Sequence, residues 1–434
     1  MRFADAQMRY KSSVSSGGPD VTRERPLRRG EWRLLALLGL PTFAYALATT
    51  IATTYLPVLA KDFTDSSTLV GMLVAIEGVM ALTLAVPAGA LSDRVSSRLP
   101  FVVFATPVLV VALAAMGFST SLPFAIVITV IFFAGYFVAY EPYRALYPDL
   151  VDADIVGRAQ SSQAVWRGLG TMIAIGAGGT LLALGKPVPF IAGGVISALA
   201  VLVFLHRVRR HAEPLRADDL EPSLSAVFRE DLPRLRRTLL QRRELRAFVV
   251  GNALWEFSLG ALKTFVILYL ITGLGLGTSE AALSVTFAAL FIAVGAPVSG
   301  VLADRYGAPR VMRGALILYG VGLAIPMLFA DPIVVALIAP VFAFGGGVVM
   351  TLPYALMIPL MDDGDHGLST GLYSVSRGVG AALGPLAGGV AIELTRNGLF
   401  SSTQGYAAVW GVCSISILLS VPLVSRMHRP ASAA

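Results

Sequence analysis

The sequence has almost no cysteine and little charge, and these two shortages narrow the class of protein. Its 434 residues include a single cysteine, Cys413, which excludes disulfides and a cysteine-based zinc site. Four histidines, none paired at helical spacing, argue against a metal cluster, and no G-x-x-x-x-G-K-[ST] loop exists to hold ATP phosphates. Only 14% of the residues are charged and 56% are hydrophobic, whereas about 25% of a soluble domain is charged. We therefore expect a chain whose solvent is the lipid bilayer, with no cofactor, no metal and no catalytic residues.

Long apolar segments make up most of the chain. About twenty apolar residues cross the ~30 Å hydrocarbon core as a helix, and twelve segments reach this length. Their approximate spans are 34–60, 67–91, 99–118, 122–148, 159–184, 188–206, 247–273, 278–300, 308–329, 333–360, 368–394 and 405–425. The sequence predicts an all-α polytopic membrane protein with twelve transmembrane helices in two pseudo-symmetric six-helix halves. The predicted domains are a disordered cytoplasmic tail (1–32), a first half (33–207), a basic cytoplasmic linker (208–246), a second half (247–426) and a cytoplasmic C-terminal tail (427–434).

Basic residues predict the orientation of these helices. If the N-terminus is cytoplasmic, the loops on that side include the arginine-rich stretch 207–246, while the opposite loops hold only Lys61, Lys186 and Arg396. We therefore expect both termini to be cytoplasmic in a multi-pass protein of the cell's inner membrane. The net charge of +7 then faces the anionic leaflet, which argues against a nucleic-acid partner.

The two halves repeat each other. A shift of 211 residues aligns two blocks of the first half with the second, and a shift of 210 aligns a third. The aligned positions are Gly89, Leu91, Asp93 and Arg94 with Gly300, Leu302, Asp304 and Arg305; Pro142, Tyr143 and Pro148 with Pro353, Tyr354 and Pro359; and Gly157, Arg167, Gly168, Gly170, Gly178 and Gly179 with Gly367, Arg377, Gly378, Gly380, Gly388 and Gly389. Repeats of this kind create two alternative packings around a central site.

One repeated block also carries a family signature. The loop Gly89-Ala-Leu-Ser-Asp93-Arg94 resembles the G-x-L-x-D-R motif of the major facilitator superfamily, and Gly300-Val-Leu-Ala-Asp304-Arg305 is a second copy. The resemblance implies a transporter fold over the full chain and a cytoplasmic gate at Asp93, Arg94, Asp304 and Arg305. In that family the aspartate caps a neighbouring helix and pairs with arginine. A carboxylate at a helix N-terminus is favoured by about 0.3–1 kcal/mol.

Two weaker resemblances concern the subfamily, and they disagree. The run from Glu141 to Leu150, with Arg167-Gly-Leu-Gly170, resembles glycoside–pentoside–hexuronide:cation symporters and sucrose-transporter-like proteins. Those symporters often carry an acidic pair on the second helix for sodium, but here only Glu77 is present. The glycines and proline between Gly371 and Gly389 reproduce the spacing of the antiporter motif of drug exporters. Close helix packing explains those small residues equally well.

Charged residues within the apolar segments are candidates for function, because each costs about 2.5–3.5 kcal/mol to insert and usually faces a cavity or a partner. Desolvation favours a neutral carboxyl group, so Glu77 and Glu256 are the candidates for proton coupling. The alternative for Glu77 is a permanent ion pair. Asn252, Glu256 and Lys263 share one helix face, and about 10 Å of helix rise separates Glu256 from Lys263. Each of those two is therefore expected to pair elsewhere.

Polar and aromatic stripes complete the candidate set. Tyr136, Tyr140, Tyr143 and Tyr147 lie on the fourth segment, where aromatic faces favour binding of rings or sugars but also ordinary packing. Glu141 and Arg144 share a face near the cytoplasmic end, either as a gate salt bridge or as a contact to substrate. Two stripes at equivalent positions of the halves predict a shared cavity wall, unless their arginines snorkel to the interface. These stripes are Gln160, Gln163 and Arg167, and Thr370, Tyr373 and Arg377.

These patterns predict a monomeric, proton-coupled secondary transporter that takes up a small neutral solute such as a sugar or glycoside. Its other partners are protons and the lipid bilayer. The first alternative is a proton-driven efflux antiporter for drugs or metabolites. The second alternative, of another class, is a membrane receptor or sensor that does not transport.

Overall fold

The computed structural model describes residues 28–92, 97–151, 156–208, 239, 241–360 and 366–427. The predicted tails, apart from residues near 28–32 and 427, lie outside these residues, as does nearly all of the linker between 209 and 240. Within the described residues every regular element is helical. Eleven helices are long and apolar enough to cross a membrane, and a shorter apolar helix follows them. The predicted polytopic all-α fold is confirmed.

The first half contains six helices. Helix α1 spans Arg29–Ala60; α2 runs through Ser67–Met80, a π-helical turn at Ala81–Ala85 and a last segment at Val86–Ser92; α3 spans Leu99–Met116, α4 Leu122–Leu150, α5 Val156–Leu184 and α6 Val188–Val208. The Ser66 hydroxyl accepts a hydrogen bond from the Leu69 amide at 3.2 Å and so caps the start of α2. Such a cap satisfies one of the free amides at a helix start.

The second half repeats this order. Helix α7 spans Arg243–Leu268 and continues through a π-helical turn at Tyr269–Gly273; α8 spans Thr278–Tyr306, α9 Ala308–Leu328, α10 Pro332–Thr351, α11 His366–Thr395 and α12 Ala408–Val424. Short helices at Pro353–Met357 and Ile358–Leu360 follow α10. The predicted single segment 333–360 is therefore wrong in its length. Pro353 has no N–H group to continue the hydrogen-bond ladder of α10, so that helix ends just before it.

The connection between α11 and α12 also shortens a predicted segment. Gln404 and Gly405 have φ values of 51° and 86°, in the left-handed region that helices exclude. The last helix therefore begins at Ala408 instead of at residue 405.

The bundle has two ends, which we name by the chain. The end at which the described chain starts and finishes is called the terminal end, and the other is called the opposite end. Because the helices alternate in direction, α2 and α8 start at the opposite end, where α5 and α11 finish.

Across the two halves, α2 packs against α11 at the opposite end. A Cβ atom at Gly71 would collide with the carbonyl oxygen of Pro385, and one at Gly389 with the carbonyl oxygen of Ser67. This close approach is possible only because these positions are glycine.

The second contact between the halves, α5 against α8, uses equivalent positions. A Cβ atom at Gly179 would lie 3.2 Å from the carbonyl oxygen of Thr278, and it would collide with the Ala282 side chain. Gly179 and Gly389 are 210 residues apart, and their partners Ser67 and Thr278 are 211 apart. The repeated glycines therefore make the same contact twice, once on each side of the bundle.

The same helix pairs lose contact toward the terminal end. On α2 and α11, contact continues through Gly78 against Ala382 and Leu82 against Gly378, and beyond these a Cβ atom at Gly89 would meet nothing within 4 Å. On α5 and α8, a Cβ atom at Gly168 or Gly300 would meet nothing within 4 Å. Because the halves pack closely at one end and part toward the other, a crevice opens between them to the terminal end.

Candidate functional site

Charged and aromatic side chains from both halves meet around the middle of the bundle. We define the central crevice by nine of the predicted residues that lie there: Glu77, Tyr136, Tyr140, Arg144, Arg167, Glu256, Lys263, Tyr373 and Arg377. They come from α2, α4, α5, α7 and α11, so the crevice is built from both copies of the repeat.

The deepest ion pair of the crevice joins the two halves. The Lys263 ammonium on α7 lies 3.1 Å from the Glu77 carboxylate on α2, and their side chains are 38% and 19% exposed. Glu77 is ten residues beyond Ser67, where α2 starts, which places it about 15 Å from the opposite end. Its neighbour Gly78 touches α11 at Ala382. The pair therefore lies at the closed, inner limit of the crevice.

A second pair lies within the second half. The Arg377 guanidinium on α11 is 3.8 Å from the Glu256 carboxylate on α7, with side chains 47% and 19% exposed. Glu256 also lies within electrostatic range of Glu77 and Lys263. As expected from their spacing, Glu256 and Lys263 pair with different partners.

The first half contributes two arginines around one tyrosine. The Arg167 guanidinium donates a hydrogen bond to the Tyr140 hydroxyl at 3.1 Å. The Arg144 guanidinium lies 3.6 Å from the Glu141 carboxylate of its own helix and 5.6 Å from the centre of the Tyr140 ring. Arg377 from the second half also acts on Tyr140 electrostatically. Two guanidinium groups thus contact this phenol, and a third lies within electrostatic range of it.

Two pairs of aromatic rings accompany these arginines. Tyr136 and Tyr140 on α4 are stacked, with ring centres 4.9 Å apart. The ring centre of Tyr354, which follows α10, lies 4.3 Å from the ring centre of Tyr373 on α11. Tyr136 is within electrostatic range of Arg377, and Tyr373 within range of Arg167. The two ring pairs therefore belong to one site that includes side chains of both halves.

Three predicted cavity residues are instead packed in the protein interior. Tyr143 is fully buried, with its hydroxyl 2.6 Å from the Thr42 hydroxyl and hydrogen-bonded to the Leu38 carbonyl. Asn252 is 1% exposed, and its amide donates to the Ser376 hydroxyl at 2.7 Å. These bonds hold helices of the same half together.

Gln163 is the third of these residues. It is 6% exposed and hydrogen-bonds the Tyr147 hydroxyl. Tyr147 is itself buried, and its hydroxyl donates a hydrogen bond to the Leu38 carbonyl at 2.9 Å.

The predicted gate residues are only partly described. Asp93 and Arg94 lie outside the described residues. Asp304 and Arg305 are exposed, and the Arg305 guanidinium lies 5.3 Å from the Tyr306 ring centre. Glu141 pairs with Arg144 near the terminal end. The gate therefore stays a prediction.

The glycines of α11 have a packing explanation in the structure. Cβ atoms at Gly380 and Gly384 would collide with the backbone carbonyls of Ala253 and Phe257 on α7, and Gly388 packs against Phe265. Together with Gly389 against α2, these contacts give four glycines of the motif a role in helix packing.

One polar contact between the halves was not predicted. The Glu393 carboxylate, near the end of α11, accepts hydrogen bonds from the Ser66 hydroxyl, the Thr68 hydroxyl at 2.7 Å and the Thr68 amide at 3.1 Å. We call this cluster the opposite-end clasp. In sequence Glu393 reads as an ordinary helix-end charge, because its partners are more than 300 residues away.

Within the described part of the chain, no three His, Cys, Asp or Glu side chains group as a metal site would require. The central crevice is therefore a site of ion pairs, arginines and aromatic rings.

Comparison with known proteins agrees with this architecture. The sequence profile of the Major Facilitator Superfamily matches residues 38–292 and 248–433. No protein of curated function matches the sequence significantly.

Solved structures of the same fold include three described as transporters or their homologues. A bacterial homologue of the human lysosomal transporter Spinster, inward-facing and occupied, is 14% identical, with a TM-score of 0.72 over 93% of this chain and 97% of that one. The nucleoside transporter NupG is 15% identical, with a TM-score of 0.73 over 92% and 100%. A bacterial homologue of the iron transporter ferroportin, also inward-facing, is 15% identical, with a TM-score of 0.66 over 93% and 100%.

Proposed function

The chain belongs to the Major Facilitator Superfamily, and on that premise we propose that it moves a small solute by alternating access, coupled to protons through Glu77. Membership of this family makes it a multi-pass membrane transporter and not an enzyme. The coupling ion, the residues that carry it and the direction of transport are the proposed parts.

The packing between the halves supports alternating access. Two equivalent glycine contacts, Gly389 against Ser67 and Gly179 against Thr278, join the halves at the opposite end, while the same helices part toward the terminal end. A duplicated bundle with interchangeable contacts has a second packing available, in which the terminal end closes and the opposite end opens. Rocking between the two would expose the central crevice to each side in turn.

The Glu77–Lys263 pair is the observation that carries the coupling proposal. It joins the two halves at 3.1 Å, and both side chains are partly exposed in the crevice. A proton that enters the crevice can neutralise Glu77 and so remove an attraction between the halves. The state of protonation and the packing of the halves are then linked, as coupling requires. Glu256, paired within the second half, is the secondary candidate.

The basic residues orient this mechanism in the cell. If the terminal end is cytoplasmic, as the arginine distribution predicts, the described conformation faces inward. We propose an inner-membrane monomer with both termini in the cytoplasm. The symporter resemblance suggests uptake of a neutral sugar or glycoside. Efflux of drugs or metabolites is the alternative, and its support weakens because packing explains the glycines of α11.

The experiment is transport in proteoliposomes with an imposed pH gradient, using a solute found by thermal-shift screening of sugars, organic anions and drugs. We expect the gradient to drive accumulation of this solute. Glu77→Gln should abolish gradient-driven accumulation and spare solute exchange, because it keeps the shape of the side chain but cannot titrate. Asp65→Asn, in an exposed loop at the opposite end, is the matched control and should transport normally. Intact gradient-driven accumulation in Glu77→Gln would show that the coupling assignment is wrong. A receptor would show neither accumulation nor exchange.

A further inference from the structure

We propose that the central crevice binds an organic anion with a flat apolar body, such as an aryl carboxylate, instead of a neutral solute. This inference rests on the proposed transport function and names its class of substrate. It derives from the charge balance of the crevice, the position of Arg167 and the two aromatic pairs.

The charge balance is positive. The central crevice, taken with Glu141 as the partner of Arg144, contains four cations, Arg144, Arg167, Lys263 and Arg377, but three carboxylates, Glu77, Glu141 and Glu256. The carboxylates are matched to Lys263, Arg377 and Arg144. Among the described residues Arg167 has no carboxylate within ion-pair distance, and one positive charge therefore remains.

Arg167 is placed to use that charge on a ligand. It lies eleven residues from Val156, where α5 starts, which is about 16 Å of helix rise from the terminal end. Its guanidinium does not extend to that end but turns to Tyr140 on α4. It also lies within electrostatic range of Glu256 and Tyr373 in the second half. The cation therefore faces the space between the halves, where a solute would lie.

The neighbouring arginines leave part of their hydrogen-bonding capacity unused. The Arg377–Glu256 and Arg144–Glu141 separations of 3.8 Å and 3.6 Å are long for direct hydrogen bonds, and Arg377 is 47% exposed. A guanidinium offers five donors in a planar fork that matches a carboxylate. An anion that enters this group finds donors from both halves and lowers the repulsion among three like charges.

The aromatic pairs select the rest of the ligand. On one side the half-buried Tyr136 stacks on the buried Tyr140, and on the other the exposed Tyr354 packs against the half-buried Tyr373. Flat rings stack on or meet the edges of such side chains. A ligand with an aromatic body and a carboxylate fits both features, whereas a neutral sugar leaves the charge of Arg167 without a counterion.

The test is binding to the purified full-length protein, measured by thermal shift and calorimetry with matched pairs of probes. Each anion is compared with a neutral analogue of the same shape: benzoate with benzamide, 4-hydroxybenzoate with 4-hydroxybenzamide and hexanoate with hexanamide; glucose and sucrose are included. We expect anions to bind, aryl carboxylates most tightly, and each amide to bind at least about tenfold more weakly, because it forgoes a charge-assisted hydrogen bond.

Variants of Arg167 test whether the preference for anions depends on this residue. Arg167→Gln should weaken anion binding by about tenfold or more, and Arg167→Lys should recover part of it, because it restores the charge without the planar fork. Arg313→Gln is the matched control, since Arg313 on α9 is outside the crevice. Its guanidinium donates a hydrogen bond to the Ser425 hydroxyl at 3.4 Å. It should bind as the wild type does.

The inference is overturned if amides or sugars bind as well as the anions, if no anion in the panel binds, or if Arg167→Gln binds like the wild type. Gradient-driven transport of a neutral solute would refute the anion inference and leave the proposed function standing. Anion binding without gradient-driven transport would refute proton coupling and leave the substrate class standing.

Discussion

The opposite-end clasp gives the sharpest prediction about conformational equilibrium. The Glu393 carboxylate on α11 accepts three hydrogen bonds from Ser66 and Thr68 at the start of α2. It therefore holds the second half against the first only while the opposite end is closed. Glu393→Gln keeps the size of the side chain, but it removes the charge and replaces one acceptor oxygen by an NH₂ group.

The free-energy cost of Glu393→Gln to the closed state follows from the hydrogen bonds that are lost. Hydrogen bonds to charged groups contribute about 1.5–3 kcal/mol, against about 0.5–1.5 kcal/mol for neutral ones. Since Glu393 is partly exposed, we take the low end and expect the substitution to cost the closed state about 1–2 kcal/mol in total. An equilibrium constant then shifts about 5- to 30-fold toward the state that is open at the opposite end.

The assay is double electron–electron resonance between spin labels on Thr120 and Asn397, two exposed loop residues of different halves at that end. The native Cys413 is fully buried and should leave the labelling background low. Glu393→Gln should raise the long-distance population. Glu280→Gln is the control, because Glu280 bonds the Gly277 amide of its own half at 3.1 Å. A distance distribution unchanged by Glu393→Gln, or changed equally by the control, would refute the reasoning.

Two further predictions concern packing. Gly389→Val should disfavour closure of the opposite end by about 1–3 kcal/mol, because the new side chain would meet the backbone of Ser67. The same spin labels should then report longer distances. Gly398→Val is the control and should leave the distances unchanged, because a Cβ atom there meets nothing within 4 Å. Tyr143→Phe should lower the free energy of unfolding by about 1 kcal/mol and leave solute affinity unchanged, because the Tyr143 hydroxyl bonds only buried groups of the first half. A selective loss of solute affinity in calorimetry would contradict the assignment of Tyr143 to the protein interior.

Much of the fold was predictable from the sequence, because the bilayer imposes long apolar segments whose lengths are easily recognised. Errors arose where local chemistry ends a helix inside an apolar run. Pro353 ends α10 earlier than predicted, and the left-handed backbone at Gln404 and Gly405 delays α12. The internal repeat was the stronger signal, and the structure gives it a physical reason in the equivalent contacts of Gly179 and Gly389.

The candidate site was predictable by residue type but not by partner. An inserted charge needs a cavity or a counterion, so Glu77, Glu256, Lys263 and Arg377 could be selected from sequence. That Glu77 pairs with Lys263 across the halves could not be, because helix periodicity says nothing about which helices adjoin. The α4 stripe shows a similar limit. Tyr140 and Tyr143, less than one turn apart, are both buried, but the Tyr140 hydroxyl accepts a hydrogen bond from Arg167, whereas the Tyr143 hydroxyl bonds Thr42 on α1.

Tyr354 had a signal in the sequence, since the repeat aligns it with Tyr143 at the same offset. The two tyrosines have different environments. Tyr354 is 38% exposed and packs against Tyr373, whereas Tyr143 is buried. Glu393 had no comparable signal.

Alternating access requires that the opposite end open during every cycle, and a reversible cross-link there tests this most directly. Thr68→Cys and Glu393→Cys place thiols where the native side chains are in contact, and a short bifunctional methanethiosulfonate joins them. Transport in proteoliposomes should stop when the cross-link is complete and resume when a reductant cleaves it. A protein with only one of the two substitutions, treated alike, should stay active. Transport that continues through a fully cross-linked protein would contradict the account.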